Sequence, residues 1–600
     1  METVTISLNG REVAGPPGTT ILDLATQVGV EIPTLCHHPL LKNAGACRVC
    51  LVEDLRTGKL LASCVTPILE GMEIVTHSPA AVQARRGVLE LILSDHPSAC
   101  VVCSKGNECV LRSLAKDHGI CDPELEPIRR WRPMEEVNPF IVRDLTKCVL
   151  CGRCIRVCKD YEVVGAVEYT DRGYTSHPGT ADRTPLEGSE CNFCGSCVAI
   201  CPTDALAERD RATFSSGKAL APGICSYCGT GCHLEYEIVD GQVAGARGVI
   251  GSPVNSLSLC VRGHYGQDAI TSPGRLTDPL VRDGDGTFRK SSWEDAVGEV
   301  AVRLNEIRDR HGPSSIGVIA GTQCSNEELY LAGRFCRSIL RTPKVDATSS
   351  LSSGVVVEGL VSSLKEIGPG ASIGLILEAD TIVMIDARPD YTHPVIARNV
   401  RQAVRNNGAS LIQLDPLTTS LDPFTHLHFK EEIGSQPGLL IQLIKELVAG
   451  NLHDEEFVLQ HVMNAEDFLA GIKRQPNEQG SSEKVAWAAA FMGGGRKTVF
   501  LLGPLVARAT QGYIITRLVA DLAILCGQPH HIRFLFEGCN EMGTWELGCT
   551  SARPSGCLGT IDPSSRVTLQ DAWGTDAVFD RGLDAMSMLQ SAENGDLKGL

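Results

Sequence analysis

The sequence contains no run of 18 consecutive apolar residues, and its N-terminus lacks a basic segment followed by an apolar one. Without the former no helix can span a bilayer, and without the latter no secretory signal is visible. We therefore expect a cytoplasmic protein with no direct membrane insertion, peripheral to a membrane only through partner subunits. Basic charge is also scarce: 55 Lys and Arg oppose 72 Asp and Glu, which argues against nucleic acid as a partner.

Dinucleotide-binding motifs are missing as well. The segment 368–374 (GPGASIG) has one residue too many for GxGxxG, and Gly495-Arg-Lys-Thr498 lacks the glycine that a phosphate-binding loop places directly before its lysine. We therefore expect that any nicotinamide cofactor binds a partner protein.

Cysteine, by contrast, is abundant: there are 26 residues in a chain of 600. In a chain without a secretory signal such a number indicates metal binding rather than disulfides. The length predicts about three to five domains.

The central motif consists of two cysteine groups with identical spacing, C-x2-C-x2-C-x3-C, separated by 32 residues. This run is typical of two-cluster ferredoxins, in which the fourth cysteine of each group ligates the cluster of the other group. Pro202 follows the second group, and CPTDAL resembles ferredoxins closely, whereas Lys159 follows the first. A pair of structural zinc sites is the alternative. The predicted ligands are Cys148, Cys151, Cys154, Cys158, Cys191, Cys194, Cys197 and Cys201.

An earlier group of four cysteines follows a predicted hairpin, residues 3–14 around Asn9-Gly10, and a helix that Thr19 or Thr20 can cap. Its spacing, C-x10-C-x2-C-x13-C, predicts a [2Fe-2S] site, with zinc again as the alternative. It resembles the N-terminal ferredoxin domain of the complex I G subunit and of iron-only hydrogenases. The predicted ligands are Cys36, Cys47, Cys50 and Cys64.

Between these groups lies His-x3-Cys-x2-Cys-x5-Cys, which offers one imidazole and three thiolates. His96 is a candidate because the three thiolates lack a fourth partner and the nearest spare cysteine, Cys121, is 12 residues beyond Cys109. The motif resembles the [4Fe-4S] site with one His and three Cys ligands of the same two families. A neutral imidazole in place of a thiolate should raise the reduction potential. The predicted ligands are His96, Cys100, Cys103 and Cys109.

The fifth group, Cys225-x2-Cys228-x3-Cys232, is completed by Cys260 in LCVRGHYG. From here the sequence resembles the molybdopterin oxidoreductase family, closest to formate dehydrogenase α subunits and the complex I G subunit. The phrases RLTDPLVR, FRKSSWEDAV and ADTIVMIDARPDYTHPVIARNVRQAV carry this resemblance. Together, 19 cysteines and His96 supply four ligands to each of five sites.

Beyond residue 290, short apolar strands alternate with helices, which predicts a mainly parallel α/β sheet. The expected strands are residues 316–321, 381–387, 410–415 and 498–503, and the expected helices include 293–310 and 394–406. In the family such strand ends hold the pterin nucleotides, so the resemblance implies molybdopterin guanine dinucleotide as a cofactor.

The residues that hold molybdenum in formate dehydrogenases do not match. The resemblance aligns Ser352-Ser353 with the family's metal-ligating Cys or selenocysteine and the following His, and Arg262 with a family Lys. A serine alkoxide is a molybdenum ligand in some relatives, but the departures together predict that formate chemistry is lost and make the pterin doubtful. Residues 594–600 resemble a phrase that precedes a strand in relatives, which predicts a domain continuing past residue 600.

The expected architecture is multidomain α+β and α/β. It comprises a β-grasp [2Fe-2S] ferredoxin (1–78), a [4Fe-4S] domain with one His and three Cys ligands (79–121), a two-[4Fe-4S] ferredoxin (138–210), a molybdopterin-type [4Fe-4S] domain (218–274) and a molybdopterin-oxidoreductase-like α/β domain (275–600). Residues 122–140 and 207–223 are predicted joints.

The predicted function is single-electron relay in an NADH-linked oxidoreductase, from a flavoprotein partner like the F and E subunits of complex I to a second redox subunit. The catalytic α subunit of a molybdenum or tungsten formate dehydrogenase is the alternative. An iron-only hydrogenase shares the first 210 residues but not the fifth site, and a zinc scaffold is a non-redox alternative. Eight Lys and Arg among residues 128–159 predict raised cluster potentials.

Overall fold

The computed structural model describes residues 3–121, 123–126, 134–135, 138–209, 219–365, 370–430, 435–474, 482–551, 563–574 and 576–600. The chain divides into two compact units. Unit 1 contains Met1–Pro222, Glu235–Ile250 and Leu257–Asp268, and unit 2 contains Gly223–Leu234, Gly251–Ser256 and Ala269–Leu600. Within the described ranges, no helix combines the length and the apolarity that crossing a bilayer requires.

The first part of the chain forms thirteen short strands and six helices within its described ranges. The strands are β1 Val4–Leu8, β2 Arg11–Gly15, β3 Leu51–Asp54, β4 Lys59–Ala62, β5 Glu73–Val75, β6 Met134–Glu135, β7 Ile141–Asp144, β8 Glu168–Thr170, β9 His177–Gly179, β10 Leu206–Glu208, β11 Ala219–Ile224, β12 His233–Val239 and β13 Gln242–Gly248. The helices are α1 Ile21–Gln27, α2 Pro79–Ser94, α3 Val110–Asp117, α4 Arg153–Arg156, α5 Ser196–Ala199 and α6 Val261–Tyr265.

The N-terminal strands form a five-stranded mixed sheet with the order β2-β1-β5-β3-β4. The predicted hairpin is confirmed: β1 pairs antiparallel with β2, and Asn9 and Gly10 between them both have positive φ. The predicted helix is confirmed as α1, which Thr20 caps by accepting a hydrogen bond from the Asp23 N–H. The helix buries Ile21, Leu22, Leu24 and Ala25 in the hydrophobic cluster beside the sheet, as in a β-grasp fold.

The predicted joints contain some regular structure. Residues 134–135 form β6 and pair with β7, and β10 pairs antiparallel with β7 to complete a three-stranded sheet. The remainder of the 122–140 joint lies partly outside the described residues, as do residues 210–218 of the second joint.

The second part of the chain forms nine strands and seventeen helices within its described ranges. The strands are β14 Leu280–Arg282, β15 Phe288–Lys290, β16 Val318–Ala320, β17 Val345–Ala347, β18 Thr381–Ile385, β19 Ser410–Leu414, β20 Leu427–Phe429, β21 Thr498–Leu502 and β22 Ile532–Phe534. The helices are α7 Asp268–Thr271, α8 Trp293–His311, α9 Asn326–Arg334, α10 Ser349–Ser352, α11 Gly354–Leu364, α12 Ile373–Glu378, α13 Pro389–Thr392, α14 Pro394–Asn407, α15 Gln436–Ala449, α16 Glu455–His461, α17 Ala465–Arg474, α18 Glu483–Met492, α19 Pro504–Arg508, α20 Gly512–Leu525, α21 Glu541–Glu546, α22 Pro563–Trp573 and α23 Ala585–Glu593.

A parallel five-stranded sheet with the order β20-β19-β18-β21-β22 is the centre of unit 2. Alternate residues of its strands enter two hydrophobic clusters: Val383 and Phe500 belong to one, and Ile382 and Leu501 to the other. Both faces of the sheet are therefore buried, which explains why its strands are continuous apolar runs in the sequence. The predicted parallel α/β sheet is confirmed.

The strand predicted at 316–321 forms as β16, but it lies outside the central sheet. It pairs with β17 in a separate two-stranded parallel sheet. The physical reason is that an apolar run in the sequence indicates a buried strand but does not indicate which strand it pairs with.

Gly503, directly after β21, offers a test of this sheet. A Cβ at Gly503 would overlap the Asp386 carbonyl and approach the Ala387 Cα to 2.5 Å. We expect Gly503→Ala to destabilise unit 2 by about 3 kcal/mol, because the added methyl group would clash with backbone atoms, which cannot move aside as a flexible side chain can. The loss is measured by hydrogen exchange of the β18 and β21 amides.

The matched control is Gly438→Ala in α15, where a Cβ meets nothing within 4 Å. We expect that variant to be neutral or stabilised, since alanine favours a helix over glycine by up to about 1 kcal/mol. Equal rates of amide hydrogen exchange in the two variants would contradict the close backbone approach at Gly503.

Candidate metal centres

The first four cysteines lie together beside the N-terminal sheet. Cys50 Sγ lies 3.4 Å from Cys64 Sγ, and the Cys36 N–H donates to Cys47 Sγ at 3.4 Å. Hydrogen bonds from Cys47 and Cys64 lower the pKa of Cys36, and Cys64 lowers the pKa of Cys50 to about 6. The four sulfurs thus form one compact group, and three of the four residues are buried.

His96 and its three cysteines line one cavity. The Nδ1–H of His96 donates to the Pro97 carbonyl at 3.0 Å, which leaves the lone pair on Nε2. Nε2 is buried, and among the described residues it has no hydrogen-bond partner. Burial lowers the pKa of His96, so the ring is neutral. An orphaned neutral nitrogen beside three thiols fits a metal ligand, and this environment distinguishes His96 from an ordinary loop histidine.

The two-cluster motif forms a second cavity, lined by seven of its eight cysteines: Cys148, Cys151, Cys154, Cys158, Cys191, Cys197 and Cys201. The two halves share the same backbone pattern. Leu150 and Phe193 have φ of 52–53°, and Gly152 and Gly195 have φ of 67° and 75°. These left-handed residues let each N–H of Leu150 and Phe193 approach the sulfur two residues earlier, at 3.4 and 3.5 Å.

The fourth cysteine of each half lies with the other half. Burial, with a smaller contribution from Cys201, raises the pKa of Cys151 to about 12. Burial also raises the pKa of Cys197, with added contributions from Cys194, Cys191 and Cys158. Cys158 lies in a π-helical turn, Val157–Tyr161, that continues α4. These neighbours are compatible with the crossed ligation that the spacing predicts, which stays a prediction.

The His96 cavity adjoins the two-cluster cavity within unit 1. Thr203 lines both of them, and its hydroxyl donates to the Lys147 carbonyl at 2.9 Å. Asp204 accepts hydrogen bonds from Ser104 Oγ at 2.6 Å and Lys147 Nζ at 3.0 Å. Lys147 is one residue of the basic run predicted from the sequence, whereas the role of Asp204 has no signal in the sequence.

The first three cysteines of the fifth group are buried in unit 2, where the Cys225 N–H donates to the Cys232 carbonyl at 2.8 Å and closes a tight loop. Gly231 in this loop has a φ of 68°. Cys260 belongs to unit 1, where it immediately precedes α6.

No group of three or more His, Cys, Asp or Glu side chains in the described ranges is arranged for a single metal ion. A cubane binds each of its ligands through a different iron, so its cysteines need not converge on one point as zinc ligands do.

The serines aligned with the family's molybdenum ligand are already engaged in unit 2. The Ser352 hydroxyl donates to Glu541 Oε1, and the Gly538 N–H donates to Glu541 Oε2 at 2.9 Å. Ser353 Oγ accepts from Trp545 Nε1 at 3.0 Å and donates to the Ser349 carbonyl at 3.0 Å. In this arrangement the Ser352 hydroxyl carries its proton, so Ser352 would have to lose that proton and leave Glu541 before it could serve as an alkoxide ligand to molybdenum.

Polar side chains converge at the carboxyl ends of β18 and β19, where ligands bind in open α/β sheets. Arg388 donates to both oxygens of Asp415 at 2.9 Å, and Gln436 Nε2 lies 3.3 Å from both oxygens of Asp386. Burial, with the nearby charge of Asp415, raises the pKa of Asp386 to about 6. The sequence signal for both acids is an Asp directly after an apolar strand.

Five family models match successive parts of the chain. They are the 2Fe-2S iron-sulfur cluster binding domain (1–79), the NADH-ubiquinone oxidoreductase-G iron-sulfur binding region (85–124), the 4Fe-4S dicluster domain (147–205), the molybdopterin oxidoreductase Fe4S4 domain (219–272) and molybdopterin oxidoreductase (275–600).

Several named proteins are similar over almost the whole chain. NADPH-Fe(3+) oxidoreductase subunit alpha of Geobacter sulfurreducens is 28% identical over 100% of this chain and 70% of its own length. The G 2 subunit of the NADH-quinone oxidoreductase of Rhizobium meliloti is 29% identical over 99% of this chain and 68% of its own. YrhE of Bacillus subtilis, which carries a provisional formate dehydrogenase name, is 26% identical over 100% of this chain and 66% of its own.

These matches confirm the fold class, the order of its parts and the resemblance stated from the sequence. Since the molybdopterin oxidoreductase model covers residues 275–600, more than half of the chain, the protein belongs to the molybdopterin oxidoreductase family, with 2Fe-2S and 4Fe-4S cluster domains preceding that segment.

Proposed function

We propose that this chain is the iron–sulfur electron-transfer subunit of a multi-subunit NAD(P)H-linked oxidoreductase. It carries one [2Fe-2S] and four [4Fe-4S] clusters on the nineteen cysteines and His96 named above. The observation that supports this proposal most strongly is the single cavity lined by seven cysteines of the two-cluster motif, Cys158 and Cys201 among them. When bound, such clusters accept and release single electrons.

The protein's own residues hold and shield these sites. Buried thiols exclude water, and the shared boundary at Thr203 keeps the His96 cavity next to the two-cluster cavity. The neutral imidazole of His96 contributes no negative charge, so its site favours the reduced state more than a site with four thiolates. This arrangement supports relay rather than acid–base catalysis.

A flavoprotein that binds NADH or NADPH is the partner that this proposal requires. The named relatives include a subunit of an NADPH-Fe(3+) oxidoreductase and a subunit of an NADH-quinone oxidoreductase. The chain would receive electrons from such a partner and pass them to a second redox subunit, and any membrane association would run through partner subunits.

In this proposal unit 2 does not catalyse a reaction at molybdenum. The bonds of Ser352 to Glu541 and of Ser353 to Trp545 support this assignment. We expect molybdenum and tungsten far below one atom per chain in the purified complex, with no formate-dependent viologen reduction, as measured by elemental analysis and a viologen assay. Stoichiometric molybdenum or tungsten with formate activity would instead identify a formate dehydrogenase α subunit.

The relay itself is tested on the complex purified without oxygen. We expect iron and acid-labile sulfide equivalent to one binuclear and four cubane centres, and reduction of these centres by NADH or NADPH only when the flavoprotein is present. Chemical iron and sulfide analysis measures the first quantity, and spin-counted electron paramagnetic resonance measures the second. A colourless, zinc-loaded preparation would overturn the proposal.

His96 provides a more specific test. We expect His96→Ala to lose the iron of one cubane, and His96→Cys to keep it with a midpoint potential lower by on the order of 100 mV, because a thiolate adds negative charge. A potentiometric titration followed by paramagnetic resonance measures the shift.

His118→Ala is the matched control, since His118 ends α3, donates to the Leu114 carbonyl at 2.9 Å and lies outside the residues lining the cavity. Full iron content with unchanged potentials in His96→Ala would remove His96 from the ligand set.

A further inference from the structure

Two arginines of the basic run lie between the [2Fe-2S] loop and the first half of the two-cluster motif. Arg153 and Arg156 both belong to α4, the short helix that carries Cys154. Arg153 is buried, with 9% of its surface exposed. Both sites and both arginines belong to unit 1.

Arg153 joins the two modules through its guanidinium. Nη2 donates to the His37 carbonyl at 2.6 Å, in the loop that carries Cys36, and Nη1 reaches the Ile200 carbonyl, next to Cys201, at 3.4 Å. The guanidinium therefore bonds to the backbone directly beside a predicted ligand of each site, Cys36 in one and Cys201 in the other.

Arg156 repeats the link one helical turn later. Nη2 donates to the carbonyls of Cys36 at 2.5 Å and Cys151 at 3.2 Å, and Nη1 donates to the Lys42 carbonyl at 2.6 Å. The guanidinium therefore bonds to the backbone of ligand residues from both sites. A lysine could not reproduce these contacts, because it lacks the planar fork of donors.

Arg85 offers a natural comparison in the N-terminal domain. It is buried in α2, with 2% exposed, and it donates from Nε and Nη2 to the Leu51 carbonyl at 2.8 and 2.5 Å. Leu51 directly follows the predicted ligand Cys50, so this guanidinium bonds to the backbone beside the [2Fe-2S] site.

We propose that Arg153, supported by Arg156, is a positioning residue that fixes the [2Fe-2S] loop against the first cubane of the two-cluster motif and raises the reduction potentials of both centres together. The inference rests on the proposed function. A permanent positive charge in a poorly solvated boundary stabilises the more negative, reduced form of each neighbouring cluster. Because the same charge faces both sites, neither potential can be changed through Arg153 without the other.

The experiment compares Arg153→Gln, Arg153→Lys and Arg85→Gln in the full complex by potentiometric titration of each paramagnetic signal. Glutamine keeps an N–H donor for the backbone carbonyls but removes the charge. We expect Arg153→Gln to shift the reduction equilibrium of both centres about tenfold toward oxidised, or about 59 mV for a one-electron couple. We expect Arg85→Gln to shift only the [2Fe-2S] centre and Arg153→Lys to restore most of both potentials.

Arg56→Gln is the matched control, because this exposed arginine also donates to backbone carbonyls, of Glu70 and Gly71, in the same domain. It should leave every potential unchanged. A solely structural role for Arg153 would lower the iron content of Arg153→Gln without moving the potentials of the centres that remain.

The outcomes separate the inference from the function on which it rests. Absence of binuclear and cubane signals in the unmodified complex contradicts the proposed function. Normal signals with unshifted potentials in Arg153→Gln, or a shift in only one centre, overturn the role of Arg153 and leave the relay intact. If Arg153→Gln fails to assemble, the Arg153→Lys titration decides: shifts well below tenfold in both reduction equilibria support the role of the charge, and a tenfold or larger shift in either one overturns it.

Discussion

Unit 1 depends on one constraint. Sulfurs from distant parts of the chain must be brought into common cavities. A cysteine thiolate is costly to bury alone, so its neighbours and the backbone must compensate its charge. The backbone does so by turning sharply around the sulfurs, with Leu150 and Phe193 held at positive φ in equivalent positions. Helix α4 then places Arg153 and Arg156 against the same sites. The cores of unit 1 are accordingly small and interspersed with cysteine.

Unit 2 depends on a different interaction, the burial of a parallel sheet on both faces. Its two hydrophobic clusters use alternate residues of the same strands, so the fold needs no metal for its core. The Ser352–Glu541 and Ser353–Trp545 bonds lie outside the strands of this sheet, and Trp545 packs with Val357 in a separate hydrophobic cluster.

Much of this could be predicted from the sequence, because cysteine spacing and apolar periodicity are local signals. The hairpin at Asn9-Gly10 and three strands of the central sheet, β18, β19 and β21, follow from them directly, whereas the short edge strands β20 and β22 were not predicted. The pairing of β16 with β17 does not follow from these signals, since strand pairing depends on residues that are far apart in the chain. The roles of Glu541 and Asp204 were not predicted for the same reason. A single acidic residue forms no recognisable sequence motif, and its hydrogen-bond partners are known only from the fold.

The crossed positions of Cys158 and Cys201 have a consequence for maturation. If each half of the motif supplies a ligand to the other, the first cluster inserted would also order part of the second binding site, so that loading would be cooperative. Oxidative loss of one cubane would likewise release a cysteine that the other half carries, and would loosen the backbone that holds the second cubane.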